Sequence, residues 1–198
     1  MRAAIDILMK EHRFIEEVMG SLETFALQLE QGASASAATV SEYGDFLKNY
    51  VDRTHHGKEE DRLFAKMIEY GFPREYGPIA VMLSEHVEGR SHVRALRDIG
   101  AGSGPLTIDE VKAIKEHTEM YVPLLANHIV KEDRILYPMA LRAIPPEALD
   151  RLVAEYDAFE SSVMGEGEHE QFHRLAALLI EAHPGVEDSG SMGCTGCH

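Results

Sequence analysis

HHGKEEDRLF, residues 55–64, and NHIVKEDRILYP, residues 127–138, decide how this chain is read. Set one under the other, they agree at His56/His128, Glu60/Glu132, Asp61/Asp133 and Arg62/Arg134, a constant offset of 72 residues (128 − 56). A solvated helix surface has no physical reason to repeat itself in register. A histidine and a glutamate four residues apart project from one helix face, one turn from each other. Two such faces turned toward one another predict a metal site.

Working outward, the apolar spacing is helical almost throughout and strand patterning is nearly absent. Ile5, Leu8, His12, Ile15, Met19, Leu22, Ala26 and Leu29 keep a 3-4 spacing, the inward seam of a long helix ending near Gly32. His12 lies on that seam. The second helix is expected from about Thr39 to Tyr70, with Phe46, Tyr50, His56, Glu60, Leu63 and Met67 inward, and Gly71-Phe72-Pro73 stops it. The third begins near Tyr76 and carries Ile79, Leu83, His86, Arg90, Val93 and Leu96 on its seam. Thr107-Ile108-Asp109-Glu110 is a capping box that opens the fourth, where Ile114, Tyr121, Leu125, His128, Glu132 and Ile135 face inward. Pro123 is expected to bend this helix, and Pro138 or the pair Pro145–Pro146 to end it.

The first and third helices also resemble one another, since LMKEH ends at His12 and MLSEH at His86. The chain reads as a duplicated helix hairpin. The fold class expected is all-α: an up-and-down antiparallel four-helix bundle with two additional C-terminal helices. Residues 1–145 form the bundle, 146–183 a helical extension packed on it, and 184–198 a flexible tail. At about 1.5 Å of rise per residue, His12 and His56 fall at the same level of an antiparallel pair.

Four seam imidazoles (His12, His56, His86, His128) and two carboxylates (Glu60, Glu132) then surround one point in the core. Buried carboxylates of one sign must be protonated or neutralised. A pair of cations resolves that, each carboxylate bridging both ions. Six protein ligands leave coordination positions open for water, an oxygen atom or a substrate. Mixed imidazole and carboxylate ligation with open positions suits non-heme iron, with manganese and zinc as alternatives. His55 and Glu59 are expected on the wrong side of their helix, as supporting or surface residues, and Asp61 and Asp133 are substitutes for the glutamates.

EH, HHGKEED, SEH and HIVKEDRILYP in a four-helix pattern resemble the hemerythrin-like, or HHE cation-binding, proteins. The resemblance covers about residues 1–145. It implies a carboxylate-bridged centre of two iron ions that binds dioxygen or related small molecules, with His12, His56, Glu60, His86, His128 and Glu132 as ligands. The oxygen-carrying members have a further histidine one turn after the third-helix histidine, where this chain has Arg90. Their fourth-helix acid falls at i+5, where Asp133 stands beside Glu132. A missing imidazole changes the coordination count, so simple reversible oxygen carriage is not expected. Arg90 is expected to pair with Glu60 or Glu132, to orient an oxygen or peroxide ligand, or to reach the bundle end. The function expected is binding or sensing of dioxygen, nitric oxide, peroxide or iron, in a stress response for example. The alternative is an enzyme reducing peroxide, dioxygen or nitric oxide with electrons from a redox partner protein, with Arg90 or a tyrosine (Tyr50, Tyr121) supplying a proton or hydrogen bond.

Beyond the bundle, His169 and His173 are again four apart, and either form a second metal site, reach the main centre, or belong to a polar helix face. Cys194 and Cys197 are the only cysteines of the 198-residue chain, so no disulfide staples the core. The terminal CTGCH matches the heme-attachment pattern in letters, but reads better as a dithiol or a dispensable tail. A net charge of −15, from 34 acidic and 19 basic residues, argues against nucleic acid and anionic membrane surfaces. No apolar run approaches the roughly 20 residues of a membrane span. Asp6 and Lys10 break the first apolar stretch, which is therefore no signal peptide, and a cytoplasmic protein is expected.

Overall fold

The structure, a computed structural model, describes residues 3–185 and is helical throughout its named elements. Helix α1 is Ala3–Glu30. Helix α2 spans 37–69, beginning as Ala37–Asp45, passing through wide π-helical segments at Phe46–His56 and Glu59–Phe64, and finishing as Ala65–Glu69. Helix α3 is Gly77–Gly100. Helix α4 spans 108–143, with Ile108–Lys131, a π-helical segment Glu132–Leu136, and Tyr137–Ala143. Helices α5, Pro146–Val163, and α6, Glu168–Ala182, follow.

Local chemistry sets these limits. The Thr107 hydroxyl accepts from the Glu110 amide at 3.3 Å, while the Thr107 amide donates to the Glu110 carboxylate at 2.7 Å, closing the capping box of α4. Gly32 and Gly71 take φ of +91° and +95° just past the ends of α1 and α2, left-handed positions that stop a helix without a Cβ penalty. Pro138 does not end α4. It falls in the first turn after the π-helical segment, where proline's missing N–H costs least, and the helix runs on to Ala143 before Pro145–Pro146.

Side-chain contacts between successive helices run with opposite numbering. Glu11 and Ser21 of α1 meet His55 and Tyr43 of α2. Asp45, Asp52 and Glu60 of α2 meet Arg97, Arg90 and His86 of α3. His86 and His92 of α3 meet His128 and His117 of α4, and His12 and Glu30 of α1 meet Asp133 and Lys115 of α4. Two apolar clusters fill the interior. One holds Ile15, Leu22, Phe25, Phe46, Leu96 and Leu125, the other Ile5, Leu8, Leu63, Phe64, Met82 and Leu136. Between them lies a layer of buried histidine and glutamate. Each large apolar side chain so buried contributes roughly 1.5–3 kcal/mol, which offsets the cost of desolvating that layer.

Helix α5 lies against α1 and α2, with Phe159 over Gly57, where an added Cβ would come within 2.5 Å of the ring. Helix α6 lies on α1, where the Ser21 hydroxyl donates to the Leu179 carbonyl at 2.9 Å. No helix among the described residues is long and apolar enough to cross a membrane. Cys194, Cys197 and His198 lie outside the described residues.

Candidate metal centre

The buried polar layer is built from one seam of each of the first four helices. Helix α1 supplies His12, α2 supplies His55, His56 and Glu59, α3 supplies His86, and α4 supplies His128 and Glu132, all buried. Their ligand atoms fall into two groups, each with its members within 4.8 Å of one another: His56, Glu59, His86, His128, and His12, His55, Glu59, Glu132. Both carboxylates lie between histidines of the two groups. Glu59 Oε2 is 3.5 Å from His86 Nε2 and 3.8 Å from His55 Nε2. Glu132 Oε1 is 3.3 Å from His128 Nε2, and its Oε2 is 3.3 Å from His12 Nε2.

The outer side of the layer is as ordered as the inner. A carboxylate accepts from Nδ1 of each of four rings: Asp133 from His12 at 2.8 Å, Glu11 from His55 at 2.7 Å, Glu60 from His86 at 2.7 Å and Glu85 from His128 at 2.9 Å. With the proton on Nδ1 and the ring neutral, each Nε2 would present its lone pair to the interior, the support that metal-bound histidines ordinarily have. Each of these carboxylates in turn contacts a cation: Arg13 on Asp133, Lys58 on Glu11, Arg90 on Glu60 and Lys131 on Glu85. Arg90 also donates to Asp52 at 2.6 Å, and its pairing is with Glu60, not Glu132.

These roles repeat along the chain, but one residue away from the offset read in the sequence. His55, Lys58, Glu59 and Glu60 act as His128, Lys131, Glu132 and Asp133 do, an offset of 73 (128 − 55). Glu11 and Glu85, each preceding a seam histidine, both serve the histidine of the next helix. The expectation that His55 and Glu59 point away is therefore corrected: they are 2% and 0% exposed. Successive residues of an α-helix diverge by about 100°, but a π-helical turn spreads more residues over each circuit, and His55 and His56 both reach the interior. The same effect corrects Ile135, which is exposed, while Leu136 takes the buried position. Of the six expected ligands, His12, His56, His86, His128 and Glu132 meet in the layer. Glu60 stands behind His86. Had HHGKEE been laid against HIVKED, with lysine over lysine, the match would have pointed to Glu59.

His56 stands outside the repeat. Its counterpart at the 73-residue offset (56 + 73) is Ile129, so it has no partner in the repeat. It stacks on His86 at 3.9 Å between ring centroids.

The layer is electrostatically incomplete by itself. Both ring nitrogens of His56, one oxygen of Glu59 and both oxygens of Glu132 are buried without a hydrogen-bond partner. Each orphaned group costs about 1–3 kcal/mol, more where charged. Burial and the Glu132 charge push the Glu59 carboxyl well above the usual carboxylate range. Burial pushes Glu132 the same way, but the His128 and His12 rings outweigh it and hold this carboxyl well below the range. Burial tends to lower the His12 pKa, but Asp133 and Glu132 raise it to about 9. Burial brings His55 down to about 4 despite Glu11, and with the neighbouring His86 ring it brings His56 well below its ordinary value. Cations placed among Glu59, Glu132 and the inward Nε2 atoms would satisfy the orphaned carboxylate oxygens and one nitrogen of His56, and let both carboxylates ionise. The residues present therefore fit divalent metal.

A narrow cavity of about 10 Å³, roughly one water molecule, opens beside this layer between His56, His86, Gly89, Tyr121, Leu125 and His128. Tyr137 closes the other side, donating its hydroxyl to Glu59 Oε1 at 2.6 Å. His169 and His173 belong to neither group and lie on α6. Comparison with curated proteins and with solved structures finds no match. The family model of the hemerythrin HHE cation binding domain matches residues 3–140, the span that contains every residue of the layer. The chain belongs to the hemerythrin HHE cation-binding family.

Proposed function

We propose that this chain is a non-heme di-iron protein that binds dioxygen, nitric oxide or peroxide in the interior of an up-and-down antiparallel four-helix bundle, in a sensing or protective role. Residues 1–145 make the bundle, and 146–183 an extension that covers one side of it. The observation that carries this reading is the placing of Glu59 and Glu132, each between histidines of both groups, with the Nε2 atoms of His12, His55, His86 and His128 turned toward them. His56, His86 and His128 would hold one ion and His12 and His55 the other, with Glu59 and Glu132 between. Iron held there would supply reversible electron transfer and open coordination positions for a small ligand.

The protein's own groups do the rest. Glu11, Glu60, Glu85 and Asp133 fix the tautomers of the rings they touch, and their cationic partners spread the negative charge outward. The Tyr137 hydroxyl holds a proton 2.6 Å from Glu59 Oε1, an oxygen of a carboxylate that would hold the metal. Leu125 and Tyr121 line the cavity and exclude bulk water. A cavity of that size admits only a very small ligand.

Elemental analysis of anaerobically purified protein is expected to give two iron ions per chain. Titration with dioxygen, nitric oxide and peroxide should then change its visible spectrum stoichiometrically. Continuous consumption of one of these with an added electron donor would make the chain a reductase instead. Zinc alone, or no iron after reconstitution, would overturn the iron reading.

A further inference from the structure

Outside the layer, the C-terminal extension carries a second cluster that the centre does not use. His169 and His173, one turn apart on α6, bring their Nε2 atoms to 3.0 Å of each other. The His86 and His128 Nε2 atoms in the layer are separated by the same 3.0 Å. Glu160 of α5 sets a carboxylate oxygen 2.6 Å from His169 Nδ1, without the alignment of a hydrogen bond. The carboxylate faces Nδ1, so Nε2 is the nitrogen that His169 turns toward His173. The His173 ring is fixed by stacking on Phe14, with centroids 4.3 Å apart and planes at 17°. Burial and the His169 ring lower the His173 pKa, which favours the neutral, metal-binding form of the imidazole. The site is open to solvent: the His169 side chain is 41% exposed, and a groove of about 390 Å³ beside it is lined by Glu160, Met164, His169 and Glu170.

We infer that His169 and His173 form a second, surface metal site that takes a borderline divalent cation such as Ni²⁺, Cu²⁺ or Zn²⁺. Two imidazoles of adjacent turns on a folded helix are a preformed chelate, so little ordering entropy opposes binding. Imidazole ligands select these ions over Mg²⁺ and Ca²⁺, which prefer oxygen. Water would fill the remaining positions and make the ion exchangeable, unlike ions that the seven buried groups of the layer would hold. Glu160 stands to His169 as Glu11 stands to His55. The same Glu160 meets Lys58, which donates to Glu11, so an unbroken line of ionic contacts links the two sites.

The pair would otherwise be a simple hydrogen bond between the two rings, and metal counting separates the two readings. The full chain as purified, its core ions counted first, is dialysed against Ni²⁺ and analysed for bound nickel. The double variant His169→Ala/His173→Ala is expected to bind one Ni²⁺ fewer per chain than the parent, at unchanged core metal content. Each single variant, His169→Gln and His173→Gln, should lose the same ion while keeping the helix intact. Glu160→Gln should weaken it about tenfold. His117→Ala, which removes the other close pair (His92 and His117, Nδ1 atoms 3.0 Å apart), should bind as the parent does. Equal nickel on the parent and the double variant, or loss in His117→Ala, would overturn the assignment.

Discussion

Glu59 and Glu60 carry the same side chain at adjacent positions, yet their surroundings assign them opposite tasks. Glu59 is fully buried between His55 and His86, whereas Glu60 faces outward, accepts from Arg90 and holds His86 by its Nδ1. Burial works against ionisation of Glu60, but His86 and Arg90 outweigh it and keep its carboxyl below the usual range. Its charge therefore needs no metal. Glu59→Gln is expected to drop bound metal below two ions per chain, because Glu59 is common to both groups. Glu60→Gln should keep both ions and weaken them by about 10–100-fold, as loss of a carboxylate behind a ligand does. Equilibrium dialysis against Fe²⁺ ranks the two variants. The reverse ranking would return the ligand role to Glu60.

At the scale of the element, α2 combines two tolerances that a regular, well-spaced helix would not need. Its π-helical segments turn His55 and His56 inward together, and its N-terminal half lies unusually close to α3. A Cβ added at Gly100 would sit 2.6 Å from the Ser41 amide nitrogen and 2.7 Å from its Cα, so backbone would have to move. Added at Gly44, a Cβ would meet the Arg97 Cγ at 2.7 Å, and that flexible side chain can turn away. Gly100→Ala is therefore expected to destabilise by about 1–3 kcal/mol. Gly44→Ala should be close to neutral, since the better helix propensity of alanine, about 1 kcal/mol, offsets the displaced arginine. Urea midpoints of the two variants test this. Equal midpoints would mean that α2 and α3 separate without cost.

For the whole molecule, the incomplete layer ties stability to pH and to metal. In the metal-free protein His12 has its pKa raised to about 9, so its contribution is full below about 6.5 and is lost as pH climbs toward 9. His55 is lowered to about 4, so its effect is reversed: stability falls as pH drops from about 6.5 toward 4. Each amounts to something on the order of 3 kcal/mol at its limit. Metal-free protein should be most stable near pH 6.5. Loading with metal should flatten the alkaline decline, because bound ions need these ligands deprotonated and favour the folded state. Thermal midpoints between pH 4 and 10, with and without metal, measure both arms. A metal-free protein showing no loss between pH 6.5 and 9 would sink the assignment of His12.

Much of this was legible without coordinates. The seams through Ile5–Leu29 and Ile79–Leu96, the capping box at Thr107 and the glycine stops follow from helix periodicity and backbone conformation, which act locally. The family likeness follows from the motifs EH, HHGKEED, SEH and HIVKEDRILYP, and helical rise sets His12 level with His56, while it fits His86 and His128 less well, by one or two turns. What the tertiary structure alone decided was phase within one turn. A single-residue slip in the repeat and the widened turns of α2 exchange Glu60 for Glu59 and bring His55 beside His56, and the widened turn of α4 moves the buried position from Ile135 to Leu136. Sequence spacing assumes one uniform turn, whereas a π-helical segment forms only where packing and the pairing of buried charges outweigh its poorer hydrogen bonding. The cations behind each outer carboxylate, and the meeting of α6 with Glu160, likewise come from distant helices and have no local signature.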